Sequence, residues 1–168
     1  ANGRQGWHYL KQIGHGKNGV PSFHNCRWGI FTEYMNVWSV QNNMTDMGTA
    51  YRVERGQYFD VDIVENKVST RFNGMEFRTT EGAAHVLIAQ NDITFGTVAC
   101  PAPTSCRKYN AIYVTEGGMA NPSSVIRNNT IHFVNSGSSR YGINLLSADD
   151  WLVAENTLLM ADHALNET

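Results

Sequence analysis

Five segments of this chain turn the same corner: "VWSVQNNM", "VDIVENKV", "VLIAQNDI", "SVIRNNTI" and "WLVAENTL". Each closes an apolar run with Gln, Glu or Asn, then Asn, any residue, and an apolar one. The shared asparagines are Asn42, Asn66, Asn91, Asn129 and Asn156, separated by 24, 25, 38 and 27 residues. The chain therefore has a period of about 25, with one repeat carrying an insertion. A unit this short cannot bury its own apolar side and has to stack on its neighbours.

Each repeat also opens on a small residue followed by an alternating strand: "GIFTE" from Gly29, "AYRVE" from Ala50, "GMEFR" from Gly74, "AIYVT" from Ala111 and "GINLL" from Gly142. Alternation sends every second side chain to one side. The inward columns are then Ile30, Tyr51, Met75, Ile112, Ile143 and Thr32, Val53, Phe77, Val114, Leu145. A second strand contributes Val37, Val61, Val86, Ser124, Trp151 and Ser39, Ile63, Ile88, Ile126, Val153. A third begins at Met44, Val68, Ile93, Ile131 and Leu158. Three short strands per 25-residue turn close a coil, which predicts an all-β, right-handed, single-stranded parallel β-helix of about five coils. The second Asn of each corner is expected to adopt the left-handed conformation, with its amide bonded to the same amide one coil above and below.

The "NN-x-I" corner resembles that of the secreted β-helix proteins of the pectate-lyase-like superfamily, over about residues 29 to 160. The resemblance implies the fold, and with it a range of functions: polysaccharide lyases, glycoside hydrolases, epimerases, tailspikes and adhesins. Fold alone does not choose among these.

Residues 1–28 show no repeat and read as an irregular first coil or cap; residues 29–168 read as the β-helix, with a loop insertion at 96–110. After "ENTLLM" only "ADHALNET" remains, which looks too short for a cap and suggests a fragment, or self-association through an uncapped coil end. The formal charge of −2, with 17% charged residues, gives no nucleic-acid footprint. No apolar run approaches a membrane span of ~18 residues. Cys100 and Cys106 bracket a Pro-rich loop that a disulfide would close in an oxidising compartment. Cys26 reads as a packed small residue.

Candidate chemistry lies on the outward side of the first strand, whose columns are Phe31, Arg52, Glu76, Tyr113, Asn144 and Glu33, Glu54, Arg78, Thr115, Leu146. Carboxylates, guanidinium groups and aromatic rings together suit a polysaccharide groove. Glu54, Glu76, Arg52 and Arg78 are the catalytic candidates. Glu54 and Glu76 are expected ~6 to 9 Å apart, as in an inverting glycosidase pair, and the arginines would neutralise a uronate. Phe31, Glu33, Tyr113 and Asn144 are the candidate substrate contacts. The competing account is that Arg52 with Glu76 and Glu54 with Arg78 are cross-strand ion pairs. Gly14-His15-Gly16 and Asp149-Asp150 resemble motifs of polygalacturonase-like hydrolases but stand in reversed order. Asp60 and Asp62 are the candidates for calcium, although no dense acidic loop supports them.

These readings lead to an extracellular, cell-surface or virion-surface β-helix that binds a uronate-containing polysaccharide, with its cleavage or modification left open because no complete catalytic signature is present. The alternative is a non-catalytic solenoid segment of a tailspike, adhesin or fibre. Pairing of the outward charges discriminates between them.

Overall fold

The structure, a computed structural model, describes residues 9–13, 23–33, 36–54, 60–78, 85–97, 109–115, 124–134, 140–146, 151–159 and 163–167. Two strands, β1 (Tyr9–Ile13) and β2 (Phe23–His24), precede five repeats of three. The first repeat is β3 (Trp28–Glu33), β4 (Asn36–Val40) and β5 (Asn43–Met47); the second is β6 (Thr49–Glu54), β7 (Val61–Val64) and β8 (Lys67–Thr70). The third is β9 (Met75–Arg78), β10 (Val86–Ala89) and β11 (Asp92–Phe95), and the fourth is β12 (Tyr109–Thr115), β13 (Val125–Arg127) and β14 (Thr130–Phe133). The fifth is β15 (Arg140–Leu146), β16 (Leu152–Ala154) and β17 (Thr157–Leu159), after which β18 (His163–Glu167) adds a last strand beside β15.

Strands of equal rank pair in parallel, giving sheet A (β1-β4-β7-β10-β13-β16), sheet B (β2-β5-β8-β11-β14-β17) and sheet C (β3-β6-β9-β12-β15-β18). The chain is a right-handed parallel β-helix, the hand that strand crossovers adopt. Among the described residues no helix is long and apolar enough to cross a membrane.

The expected columns are in register. Ile30 pairs with Tyr51, Tyr51 with Met75, Met75 with Ile112 and Ile112 with Ile143, and all five are buried. Sheets A and B repeat the pattern through Ile63, Ile88 and Ile126, and through Val68, Ile93 and Ile131. One hydrophobic core therefore runs the length of the coil stack. Among its polar members, the Tyr51 hydroxyl lies 2.8 Å from the Ser39 hydroxyl, which also accepts a bond from Asn42 Nδ2 at 2.8 Å.

The small residue opening each first strand marks a close backbone approach. A Cβ at Gly29 would stand 2.6 Å from the Ala50 carbonyl oxygen, and one at Gly74 would stand 2.4 Å from that of Ala111. Larger side chains are excluded there by backbone, which cannot move aside.

The asparagine ladder forms as expected. Asn42 Nδ2 donates to Asn66 Oδ1 at 3.1 Å, Asn66 to Asn91 at 3.0 Å, Asn91 to Asn129 at 2.9 Å and Asn129 to Asn156 at 2.9 Å. Each backbone N–H donates to the same oxygen as its own side chain. The left-handed conformation, however, belongs to the residue before each rung: Gln41, Glu65, Gln90, Asn128 and Glu155 all have φ of 54° to 57°. Those residues are exposed, and the kink they make turns the next residue inward as a buried rung. The expectation that the rung asparagine itself is left-handed is corrected on this point.

Candidate functional site

The outward side of sheet C carries the predicted columns in the predicted register. Phe31, Arg52, Glu76, Tyr113 and Asn144 follow one another, and Glu33, Glu54, Arg78, Thr115 and Leu146 lie alongside. Period-two alternation puts them there, since their neighbours in sequence fill the core.

The charged groups are engaged with one another. Arg52 Nε donates to Glu54 Oε1 at 2.7 Å, and its Nη2 makes a second, shorter contact with the same oxygen. Arg52 Nη1 also stands 3.8 Å from Glu76 Oε2, and Arg78 Nη2 stands 3.4 Å from that atom. Glu76 is 5% exposed, and its other oxygen accepts a bond from Asn73 Nδ2. Oε1 thus has a hydrogen-bond donor, whereas Oε2 is buried near two guanidinium groups without a hydrogen bond. A general acid or base has to present an oxygen to the reacting group, which this arrangement does not do. Of the two expected cross-strand pairs only Arg52 with Glu76 forms, at 3.8 Å; the closer pairs, Arg52 with Glu54 and Arg78 with Glu76, lie within one strand each, and Glu54 does not pair with Arg78.

Asn144 is also buried, at 3% exposure. Its Nδ2 donates to Asn110 Oδ1 at 2.9 Å, and the Asn110 backbone N–H donates to Asn73 Oδ1 at 2.9 Å. Asn73, Asn110 and Asn144 form a second, shorter asparagine line that leads into Glu76. The expectation of Asn144 as a solvent-facing contact is thereby corrected: its amide is committed within the protein. Glu33 and Phe31 are exposed and Tyr113 is half-buried.

Sequence reasoning missed an aromatic shelf at the β3 end of this surface. Trp28 and Phe31 stack with ring centroids 5.3 Å apart and planes at 27°. The Arg27 guanidinium carbon lies 4.4 Å from the Trp28 ring centre and that of Arg52 lies 5.6 Å away. Alternation from Ile30 and Thr32 would put Trp28 in the core. It is instead half-buried and stacked on outward-facing Phe31, although its register with Thr49 is regular. Phe31 is 44% exposed, and among the described residues Arg27 has no ion-pair partner. The signal available in the sequence was the Arg-Trp-Gly triplet ahead of a strand.

The other candidates are dispersed. Asp62 lies on the outward side of sheet A with His85 Nδ1 3.8 Å from its Oδ1. Burial raises its carboxyl above the ordinary range, with His85 drawing it down and Asp60 adding to the rise. Among the described residues no group of three or more His, Cys, Asp or Glu could hold a metal ion. Cys26 is a free, exposed thiol, not the packed residue expected. His15, Asp149, Asp150, Cys100 and Cys106 lie outside the described residues.

Sheet A has a different outward side from sheet C. By register one column runs Lys11, Trp38, Asp62, Leu87, Val125, Leu152 and the next runs Ile13, Val40, Val64, Ala89, Arg127, Ala154. Apart from Lys11 at its β1 end, Asp62 and Arg127, the residues of the strip are apolar, and Leu152 is 57% exposed. No protein-family model matches this chain, and no curated protein or solved structure shows significant similarity to it.

Proposed function

We propose that this protein is an extracellular or surface-exposed β-helix that binds a uronate-containing polysaccharide on the outward side of sheet C, without using Glu54 and Glu76 as a catalytic pair. The carrying observation is the Trp28–Phe31 shelf beside Arg27. The exposed Phe31 ring accepts the apolar face of a sugar, and the Arg27 guanidinium, which has no ion-pair partner among the described residues, is available to a uronate carboxylate. The repeat pattern's resemblance to the pectate-lyase-like superfamily supports the ligand class, and the mutual pairing of Arg52, Glu54, Glu76 and Arg78 argues against chemistry at those residues.

The test is titration with uronate-containing and neutral polysaccharides, followed by tryptophan fluorescence. Unsaturated-uronate absorbance and reducing ends are monitored in parallel, with and without calcium. Binding of uronate polymers is expected, with Phe31→Ala weakening it about tenfold, the equivalent of ~1.4 kcal/mol. Growth in either chemical channel, lost in Glu76→Gln, would restore the catalytic assignment. No binding to any polymer would remove the glycan reading.

A second reading, a non-catalytic solenoid that associates side by side with other copies, is favoured by the paired charges of sheet C and the apolar outward strip of sheet A.

A further inference from the structure

Asp62 and Arg127, the two charges within the five repeats of the sheet A strip, have opposite sign and matched positions; Lys11 lies outside them, on β1. The central rung of the five repeats is Leu87 and Ala89, on β10. Asp62 lies one rung before it in the first column, and Arg127 lies one rung after it in the second. Within one chain they are two rungs apart, ~10 Å along the axis and ~7 Å across it, too far for an ion pair. Among the described residues Arg127 has no ion-pair partner. Asp62 has His85 at 3.8 Å, and its buried Oδ1 accepts no hydrogen bond. Two opposite charges flanking the apolar β10 rung, neither fully matched among the described residues, call for a partner with the complementary pattern.

We propose that the outward side of sheet A docks a second copy of this chain, laid antiparallel about a twofold axis parallel to β10, so that Asp62 of each copy pairs with Arg127 of the other. Under that operation rung one faces rung five, rung two faces rung four, and each column faces itself. Trp38 then meets Leu152, and Leu87 meets Leu87. Asp62 lies on the same level as the second copy's Arg127 in the adjoining column. Facing sheets pack ~10 Å apart, a diagonal that an extended arginine and an aspartate span together. The other face-to-face twofold, with the axis along the coil stack, sets Asp62 against Val64 and Arg127 against Val125, leaving both charges on aliphatic side chains. The charges select the antiparallel arrangement.

The part of the strip that faces its copy runs five rungs, from β4 to β16, with β1 beyond it; at ~20 Å long and two columns wide it is smaller than the ~800 Å² per partner of a standard stable interface. The dimer is accordingly a reversible one. This inference concerns a different side of the β-helix from the shelf at Trp28 and does not depend on glycan binding.

Sedimentation velocity over about 1 to 200 μM, a range in which interfaces of this size dissociate, supplies the test. The wild-type protein is expected to pass from monomer to dimer across that range. Asp62→Arg and Arg127→Asp, each placing like charges together twice per interface, are expected to weaken association by about 100-fold or more. An equimolar mixture of the two variants is expected to recover a one-to-one heterodimer, because both pairs are then opposite in sign. Far-UV circular dichroism and urea midpoints show whether each variant is folded, and Trp38→Ala offers a charge-neutral variant with the same expected loss. A protein that stays monomeric throughout overturns the proposal, meaning that another partner or a segment of this chain covers the strip. Single variants that dimerise like the wild type, or a mixture that stays monomeric, overturn it as well.

Discussion

Asn91 is the middle rung of the ladder, and replacing it by aspartate changes one atom of its side chain. Its Nδ2 donates to the Ile63 carbonyl at 2.9 Å and to Asn129 Oδ1 at 2.9 Å, in a site that is 1% exposed. A carboxylate oxygen in that position faces two acceptors at hydrogen-bond distance and buries a charge with no cation beside it. Leaving a buried charge uncompensated typically costs ~3 to 5 kcal/mol. Asn66 N–H and Nδ2 still donate to the other oxygen, returning about 1 kcal/mol through charge assistance. The net expectation at neutral pH is a loss of about 2 to 4 kcal/mol, a large part of an ordinary domain's stability. Burial among acceptors raises the new carboxyl's pKa above its unfolded value, so the penalty is full above the folded pKa and shrinks as pH falls through it. Urea unfolding at pH 7 and pH 4, followed by far-UV circular dichroism, measures both parts. Asn91→Leu is the uncharged comparison, orphaning chiefly the buried Asn66 N–H at about 1 to 3 kcal/mol. Asp92→Asn, one residue on and exposed, should stay within about 0.5 kcal/mol of wild type. An Asn91→Asp variant as stable as the wild type at pH 7 would refute the claim that the ladder's donors and acceptors are fixed in sense.

Three further outcomes follow from the backbone and the core. Gln90, exposed with φ of 57°, is expected to gain about 0.5 kcal/mol on Gln90→Asn, since asparagine tolerates the left-handed region better and Asn128 already occupies the equivalent corner; a lower urea midpoint would count against that corner geometry. Gly96→Ala combines φ of +67° with a Cβ 2.3 Å from the Phe133 ring, so a loss of at least ~2 kcal/mol is expected in the same assay. Burial holds the Tyr51 hydroxyl well above its ordinary range, with the Ser39 hydrogen bond opposing. Only the unfolded chain then ionises near pH ~10, so wild-type stability is expected to decline as pH rises past that point and Tyr51→Phe to decline less.

How far the sequence determined these features depends on what each one rests on. Inward and outward columns were legible because period two and a 25-residue repeat leave one register in which Ile30, Tyr51, Met75, Ile112 and Ile143 coincide. The small residues at Gly29 and Gly74 were visible as a pattern, but their cause, a carbonyl of the next coil, is a tertiary contact. The left-handed residue was assigned one position late because glutamine and glutamate rarely adopt that conformation, and the rung's hydrogen bonds outweigh its local cost. For the site, register showed that Arg52 lies beside Glu76. It did not show that side-chain rotamers turn both arginines onto Glu76, or that a second asparagine line withdraws Asn144 from the surface. Trp28 escaped notice because strict alternation fails at the start of β3.

The ladder bonds all run one way: Asn42 donates to Asn66, Asn66 to Asn91, Asn91 to Asn129 and Asn129 to Asn156. The side-chain amides are therefore aligned dipoles, each polarising the next, and their sum gives the coil stack an electrical direction along its axis. Two such stacks laid side by side in the same sense would set like ends together; reversed, their fields partly cancel. The corner that gives the fold its repeat thus also biases how one β-helix lies against another, toward the antiparallel arrangement proposed for Asp62 and Arg127.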